Sequence, residues 1–197
     1  MEQTTPHWEK NILLIDADYA DRLVFDISVQ LERMLERRMP KVDLTHWIDY
    51  LALDGGLRPG KNSTQVLFIY EKQKALLDNL LPASLPDELN GRSFSDNLGE
   101  FLCAASPVEE EVVNKGELYA QNLEVLLKSK DTERILLLPD VESYGGALKT
   151  VLQQADREKD ILLFASMPLS GFMCRQEIVT YSLMAALGVS SDELPLS

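Results

Sequence analysis

The stretch Asn11-Ile-Leu-Leu-Ile-Asp16 decides the fold class. Its apolar residues run together without alternation. A strand wetted on one face alternates apolar and polar residues, whereas a strand covered on both faces reads as a continuous apolar run. Four more runs read the same way: Gln65-Val-Leu-Phe-Ile-Tyr-Glu71, Glu100-Phe-Leu-Cys-Ala-Ala105, Arg134-Ile-Leu-Leu-Leu138 and Ile161-Leu-Leu-Phe-Ala165. Helical periodicity separates them. Val24, Ile27, Leu31, Met34 and Leu35 share one stripe of a helix over 21–39, which Pro40 ends. Asp43 caps a short helix carrying Leu44, Trp47, Ile48 and Leu51. Leu76, Leu77, Leu80 and Leu81 suggest another short helix. Ser106-Pro-Val-Glu109 has the spacing of a capping box with proline at the first helical position, opening a helix to Lys128. On that helix, Gly116 in the buried stripe implies close approach to the sheet. Further helices are expected over 144–157 and 174–187.

Strands separated by helices imply crossover connections and a parallel sheet. The expectation is an α/β fold: a three-layer Rossmann-like sandwich around a mainly parallel, five-stranded sheet. At roughly 150 residues per domain, residues 1–197 read as a single domain. Residues 82–97, rich in Pro, Ser and Gly, read as an irregular excursion within it.

Composition narrows the class. Nineteen Lys and Arg stand against 32 Asp and Glu, for a formal net charge of −13, and 45% of residues are hydrophobic. That profile is globular, not disordered. Cys103 and Cys174 are too few for a disulfide framework or a closed zinc site. Cys174, at a helix start, has a position that could lower its pKa. Apolar runs fall well short of the ~20 residues that span a bilayer, so no membrane is expected. The opening MEQTTPHWEK lacks an apolar core, so a secretory leader is not expected and the reading is cytoplasmic.

Few residues carry chemistry at a diagnostic spacing. Gly55-Gly-Leu-Arg-Pro-Gly60-Lys61-Asn62 approaches a P-loop, but Asn62 replaces the hydroxyl that binds magnesium, and the loop leads into a strand. No nucleotide or organic cofactor is expected. His7 and His46 stand alone. The carboxylates are more informative. Asp16 ends the first strand with Asp18 two residues on; Asp140 follows the fourth strand with Glu142 two residues on. Ligands of open parallel sheets bind beyond the carboxyl ends of the strands, where the order reverses. Acids gathered there need a cation, and Mg²⁺ or Mn²⁺ is the natural counter-ion for oxygen ligands. The alternative is that such aspartates simply cap helices or form turns.

The stretch Asn114-Lys-Gly-Glu117, Glu124, Ile135-Leu-Leu-Leu-Pro-Asp140-Val-Glu142-Ser-Tyr144 and Ile161-Leu-Leu-Phe-Ala165 resembles the C-terminal half of an NYN domain, of the PIN-like nuclease group. Ile12-Leu-Leu-Ile-Asp16 is similar to that family's opening strand. The resemblance implies strand order 3-2-1-4-5 and a divalent-metal ribonuclease site at Asp16, Asp140 and Glu142, with Asp18 and Glu117 as further candidates. Departures accompany it. Tyr19 stands where the family has Asn, and Leu138-Pro-Asp-Val-Glu142 replaces a Ser-Gly-Asp-Ser-Asp-type turn. Leu118 takes an expected Asp position, and Glu117 and Glu124 are about 10 Å apart along a helix, too far to share one ion.

Two other families place acids after the first strand. Asp16-Ala-Asp18 resembles the nucleophile motif of haloacid-dehalogenase phosphatases, and the same strand resembles receiver domains. Ala20, Tyr144, Ala105 and Met167 stand at or beside positions where those families need other groups. No catalytic residue is assigned.

Charge weighs on the nuclease reading. Arg33, Arg37, Arg38 and Lys41 fall at the amino edge of such a sheet. The carboxyl edge collects acids, with Lys72, Lys74 and Arg175 as the visible counter-charges. RNA affinity comes largely from Lys and Arg meeting phosphates, so RNA is disfavoured. The leading expectation is a catalytically degenerate domain that binds a protein partner or self-associates. A Mg²⁺- or Mn²⁺-dependent ribonuclease is the alternative, and a haloacid-dehalogenase-like phosphatase the third.

Overall fold

A computed structural model of the chain describes residues 7–195. Met1–Pro6 of the opening segment, on which the leader reading drew, lie outside them. The elements run β1 (Asn11–Asp16), α1 (Ala17–Leu35), β2 (Val42–Asp43), α2 (Leu44–Asp54), β3 (Ser63–Glu71), β4 (Leu80–Leu81), β5 (Ser93–Asp96), β6 (Gly99–Val108), α3 (Lys115–Lys128), β7 (Arg134–Leu138), α4 (Val141–Leu152), β8 (Asp160–Ala165), β9 (Arg175–Ile178) and α5 (Val179–Ala186).

The protein is α/β, built on a mostly parallel sheet with helices against both faces. Side chains of β1 alternate between two cores. Leu13 and Ile15 pack with Val24, Ile27, Trp47, Ile48 and Leu183 of α1, α2 and α5. Ile12 and Leu14 pack with Tyr119, Leu123, Leu126 and Leu148 of α3 and α4. All six residues of β1 are buried, which is why its sequence shows no alternation.

The sheet has seven strands in the order β5-β6-β3-β1-β7-β8-β9, which corrects the five-stranded expectation and extends the order 3-2-1-4-5 by one strand at each edge. The five runs read from the sequence form its centre. The two additions are short edge strands whose residues alternate in exposure, so neither presents an apolar run. Strand β5 pairs antiparallel with β6 and lies inside the excursion 82–97, which is therefore not wholly irregular. Before β5, Ser84 caps a single π-helical turn, Leu85–Leu89. Strand β9 takes residues 175–178 of the helix expected over 174–187, and α5 takes 179–186.

Three local readings also change. The box at Ser106-Pro-Val-Glu109 opens no helix, because Ser106, Pro107 and Val108 continue the ladder with Ile69, Tyr70 and Glu71 of β3. Strand β5 ends its pairing at Leu102, so beyond it β6 is an edge and tolerates a proline that lacks an N–H. The helix starts instead at Asn114, which forms a reciprocal capping box with Glu117. The expected helix at 76–81 is replaced by an isolated bridge from Leu76 to Ser84, a bend at 78–79 and β4. There the Asp21 carboxylate accepts from the Asp78 and Asn79 N–H groups at 3.2 and 2.8 Å, so those donors are held away from a helical ladder. Gly116 does approach closely, but toward α4: an added Cβ would lie 2.7 Å from the Cβ of Tyr144.

Candidate functional site: a salt-bridged carboxylate cluster

Strand β1 stands between β3 and β7, and the chain runs outward from it in both directions, so the sheet order reverses there. Asp16 ends β1 at 0% exposure, and Asp140 follows β7 at 3%. Each also caps the helix that follows, as the turn-former alternative has it. Asp16 Oδ1 accepts the Tyr19 N–H at 3.0 Å, and Asp140 Oδ1 accepts the Ser143 N–H at 3.3 Å.

One side chain joins them. Tyr144 Oη donates to Asp16 Oδ2 at 2.8 Å and accepts the Asp140 N–H at 3.1 Å. Its backbone leaves the helical region (φ −141°, ψ 22°), which kinks α4 where the ring turns toward β1. Burial, and then the Asp16 charge, push the Tyr144 phenol far above its ordinary range, so it stays a donor. Tyr119 supports it at a ring separation of 5.4 Å and donates to the Leu14 carbonyl at 2.8 Å.

The cation at the centre is Lys115. Its Nζ lies 3.2 Å from Asp16 Oδ1, 3.2 Å from Asp18 Oδ2 and 3.7 Å from Glu71 Oε1. Burial works against the ammonium, but Asp16 and Asp18 raise its pKa above the usual lysine value. Asp18 Oδ2 also accepts the Glu71 N–H at 2.8 Å. Asp18 Oδ1 is buried and has no hydrogen-bond partner among the described residues. Burial dominates at Asp18 and raises its carboxyl pKa despite the Glu71 N–H and Lys115. Across the switch point, Arg22 Nη2 reaches Asp140 Oδ2 at 2.9 Å and Ser143 Oγ donates to the same oxygen at 2.8 Å. Burial opposes that charge too, yet these donors hold the Asp140 carboxyl below its usual range.

Of the residues read from the sequence, Asp16, Asp18 and Asp140 come together. Glu142 does not: it sits exposed in the first turn of α4. Glu117 is exposed, and its Oε2 accepts the Asn114 N–H at 3.0 Å as part of the box. Both are corrected as members of the cluster, since the helix starts that carry them turn their side chains to solvent. Sequence reasoning missed Lys115, Arg22, Tyr144 and Glu71 as partners. The one signal in reach was Asn114-Lys-Gly-Glu117, whose spacing equals that of the box at Ser106–Glu109.

Three smaller readings are also placed. Arg175 lies at the amino edge, 2.6 Å from Asp160, not at the carboxyl edge. Burial pushes the Cys174 thiol up to about 11, as it does Cys103, so the position raises the thiol pKa where a lowering was considered. At the amino edge, Arg37 pairs with Glu193 at 2.9 Å and Arg38 with Glu32 at 3.5 Å.

Mg²⁺ needs open oxygens about 2.1 Å away in near-octahedral array. Both oxygens of Asp16 and both of Asp140 already accept from protein donors, and Lys115 stands among the acids. Asp16, Asp140 and Glu142, arranged in this way, do not fit a divalent ion.

The fold and this cluster define an open α/β domain whose switch-point acids are neutralised from within. The chain belongs to DUF6621, a family of unknown function, whose model matches residues 5–194. No curated protein and no solved structure matches it. Among the described residues, no helix is long and apolar enough to cross a membrane.

Proposed function

We propose that this chain is a non-catalytic α/β domain, a degenerate relative of NYN domains, that works by binding a protein partner at the carboxyl edge of its sheet. One observation carries the reading: the cations at that edge are already paired. Lys115 serves Asp16 and Asp18, and Arg22 serves Asp140. Lys74 lies 2.8 Å from Glu71, and Lys72 lies 3.6 Å from Glu109. Each is committed to an acid, whereas phosphodiester chemistry needs positive charge left over for substrate. The same edge exposes Glu109, Glu110 and Glu111 beside Val112. Val112, Leu76 and Met167 are 84%, 68% and 60% exposed. Apolar side chains set among acids suit a partner surface that is basic at its rim and apolar at its centre.

The test is an RNA-cleavage assay with Mn²⁺, comparing wild type with Asp140→Asn. Equal absence of cleavage is the expected result; cleavage lost only in the variant overturns the reading. Cross-linking of wild type against Val112→Asp, read for loss of a discrete adduct, then tests the surface, and light scattering shows whether the partner is a second copy.

The convergence of Asp16 and Asp140 on Tyr144 supports the competing reading, a Mg²⁺- or Mn²⁺-dependent ribonuclease. That reading requires Lys115 and Arg22 to release their carboxylates.

A further inference from the structure

We propose that the free edge of β9 is a self-association surface, where two copies of this chain pair antiparallel about a two-fold axis at Gln176 and join their sheets. The inference goes beyond the carboxyl-edge reading above and uses a different surface.

Strand β9 ends the sheet and pairs with β8 alone. Among the described residues, no hydrogen bond reaches the backbone groups of Arg175, Gln176 and Glu177 that point away from β8. Such a row is a template for a further strand. The loop before β9 crosses the α3–α4 face and leaves that edge open. The Gln176 amide accepts the Leu169 N–H at 2.9 Å and donates to its carbonyl at 2.8 Å, and Lys149 of α4 lies over the Phe172 ring. Arg175 and Glu177 stand opposite Leu162 and Phe164, so both lie on the other face, that of α1, α2 and α5.

Charge selects the occupant. A residue in a parallel strand directs both its backbone groups to one side, and its neighbour directs both to the other. Two copies of β9 therefore meet outward group to outward group only in a register centred on a residue. Centred on Arg175, the pairing opposes two arginines; centred on Glu177, it opposes two glutamates. Centred on Gln176, it opposes Arg175 of each copy to Glu177 of the other, twice over. Opposite charges across an antiparallel pair stabilise it and like charges destabilise it, and a two-fold interface repeats every such match. Both charges are available. Arg175 sends Nε and Nη2 to Asp160 Oδ1 at 3.1 and 2.6 Å, which leaves Nη1, and its side chain is 53% exposed. Glu177 is exposed and has no ion pair among the described residues. Its charge, after burial, raises the carboxyl pKa of Asp54, so a cation brought to Glu177 offsets a repulsion already present. Four ladder residues make a small interface, and apolar side chains flank them. Met173 and Tyr181, before and after the strand, are 68% and 70% exposed. Antiparallel pairing brings Met173 of each copy toward the strand end from which Tyr181 of the other leaves.

The test is sedimentation velocity of the whole chain over a concentration series. Wild type is compared with Arg175→Glu, Glu177→Arg and an equimolar mixture of the two variants. Wild type is expected to dimerise. Each reversal opposes like charges and is expected to raise the dimer dissociation constant at least about tenfold. The mixture regains the dimer, because a heterodimer sets Glu opposite Arg in both pairs. A monomeric wild type overturns the proposal, including one that captures an unrelated strand at β9. So does a dimer that the reversals leave unchanged, or a mixture of folded variants that stays monomeric. Val112→Asp is expected to leave the dimer intact; its loss there would place the contact at the carboxyl edge and overturn the proposal. Should the reversals fail to fold, hydrogen exchange of wild type decides. Protection of the Arg175–Glu177 amides that rises with protein concentration supports the pairing, and no rise there overturns it.

Discussion

Two pairs of aspartates meet in this molecule and are stabilised in opposite ways. At the carboxyl edge, Asp16 and Asp18 share the Lys115 ammonium. Elsewhere, Asp49 of α2 faces Asp96 of β5, and no cation is among the groups that act on it in the described residues. Asp49 Oδ1 is buried without a partner among the described residues, and Asp96 Oδ1 accepts the Leu98 N–H at 2.7 Å. Burial first, then the Asp96 carboxyl and the charges of Asp96 and Asp43, push the Asp49 carboxyl up to about 7. The first pair is neutralised by a side chain fixed in place, the second by a proton taken from solvent. The second pair therefore carries a pH dependence in the neutral range.

The largest effect that could break this contrast is at Lys115. Lys115→Met leaves buried acids without their cation and is expected to cost about 3–5 kcal/mol by denaturant unfolding. A loss below about 1 kcal/mol would mean that the acids are not held by that ammonium. Gly116→Ala comes next. Its Cβ would meet Tyr144 Cβ at 2.7 Å and Cγ at 2.9 Å, atoms that cannot swing aside without moving α4. About 1–3 kcal/mol is expected from the overpacking, with part of the Tyr144–Asp16 hydrogen bond lost. A neutral outcome in a melting scan would show that the two helices separate freely.

The second pair gives a pH signature. The folded state holds the Asp49 proton up to about 7, while the unfolded chain releases it near the ordinary carboxyl value of 3.8. Between those values the folded state binds more protons, so stability falls as pH rises and levels off above the folded value. Asp49→Asn is expected to stabilise the protein by about 1–2 kcal/mol at pH 8, after screening of a partly exposed group, and by little at pH 4. Identical pH profiles for wild type and variant would remove the pair from the account. The smallest effect is at Glu142, which is exposed in the first turn of α4. Glu142→Gln should leave stability within about 0.5 kcal/mol, and a larger change would place it back in the cluster.

The apolar runs at 11–16, 134–138 and 161–165 were legible because burial on both faces writes itself into consecutive residues, while those at 65–71 and 100–105 were legible as apolar runs although buried and half-buried residues alternate along them. The edge strands β5 and β9 were not, since Ser93-Phe-Ser-Asp96 and Arg175-Gln-Glu-Ile178 are half solvated and owe their conformation to a neighbour. Asp16, Asp18 and Asp140 were legible as strand-end acids. Their partners were not: Arg22 lies 118 positions from Asp140, and Lys115 lies 97 from Asp18.

What the sequence by itself determined is the α/β class, the five central strands and the acids at their carboxyl ends, because each follows from local periodicity and chain direction. Only the tertiary structure decided what those acids do. Two boxes of equal spacing, Ser106–Glu109 and Asn114–Glu117, competed to start α3, and the ladder between β6 and β3 settled the choice by drawing residues 106–108 into the sheet. That eight-residue difference puts Lys115, rather than solvent or a metal, among Asp16, Asp18 and Glu71. Long-range pairing energy set the register, and the register set the charge of the site.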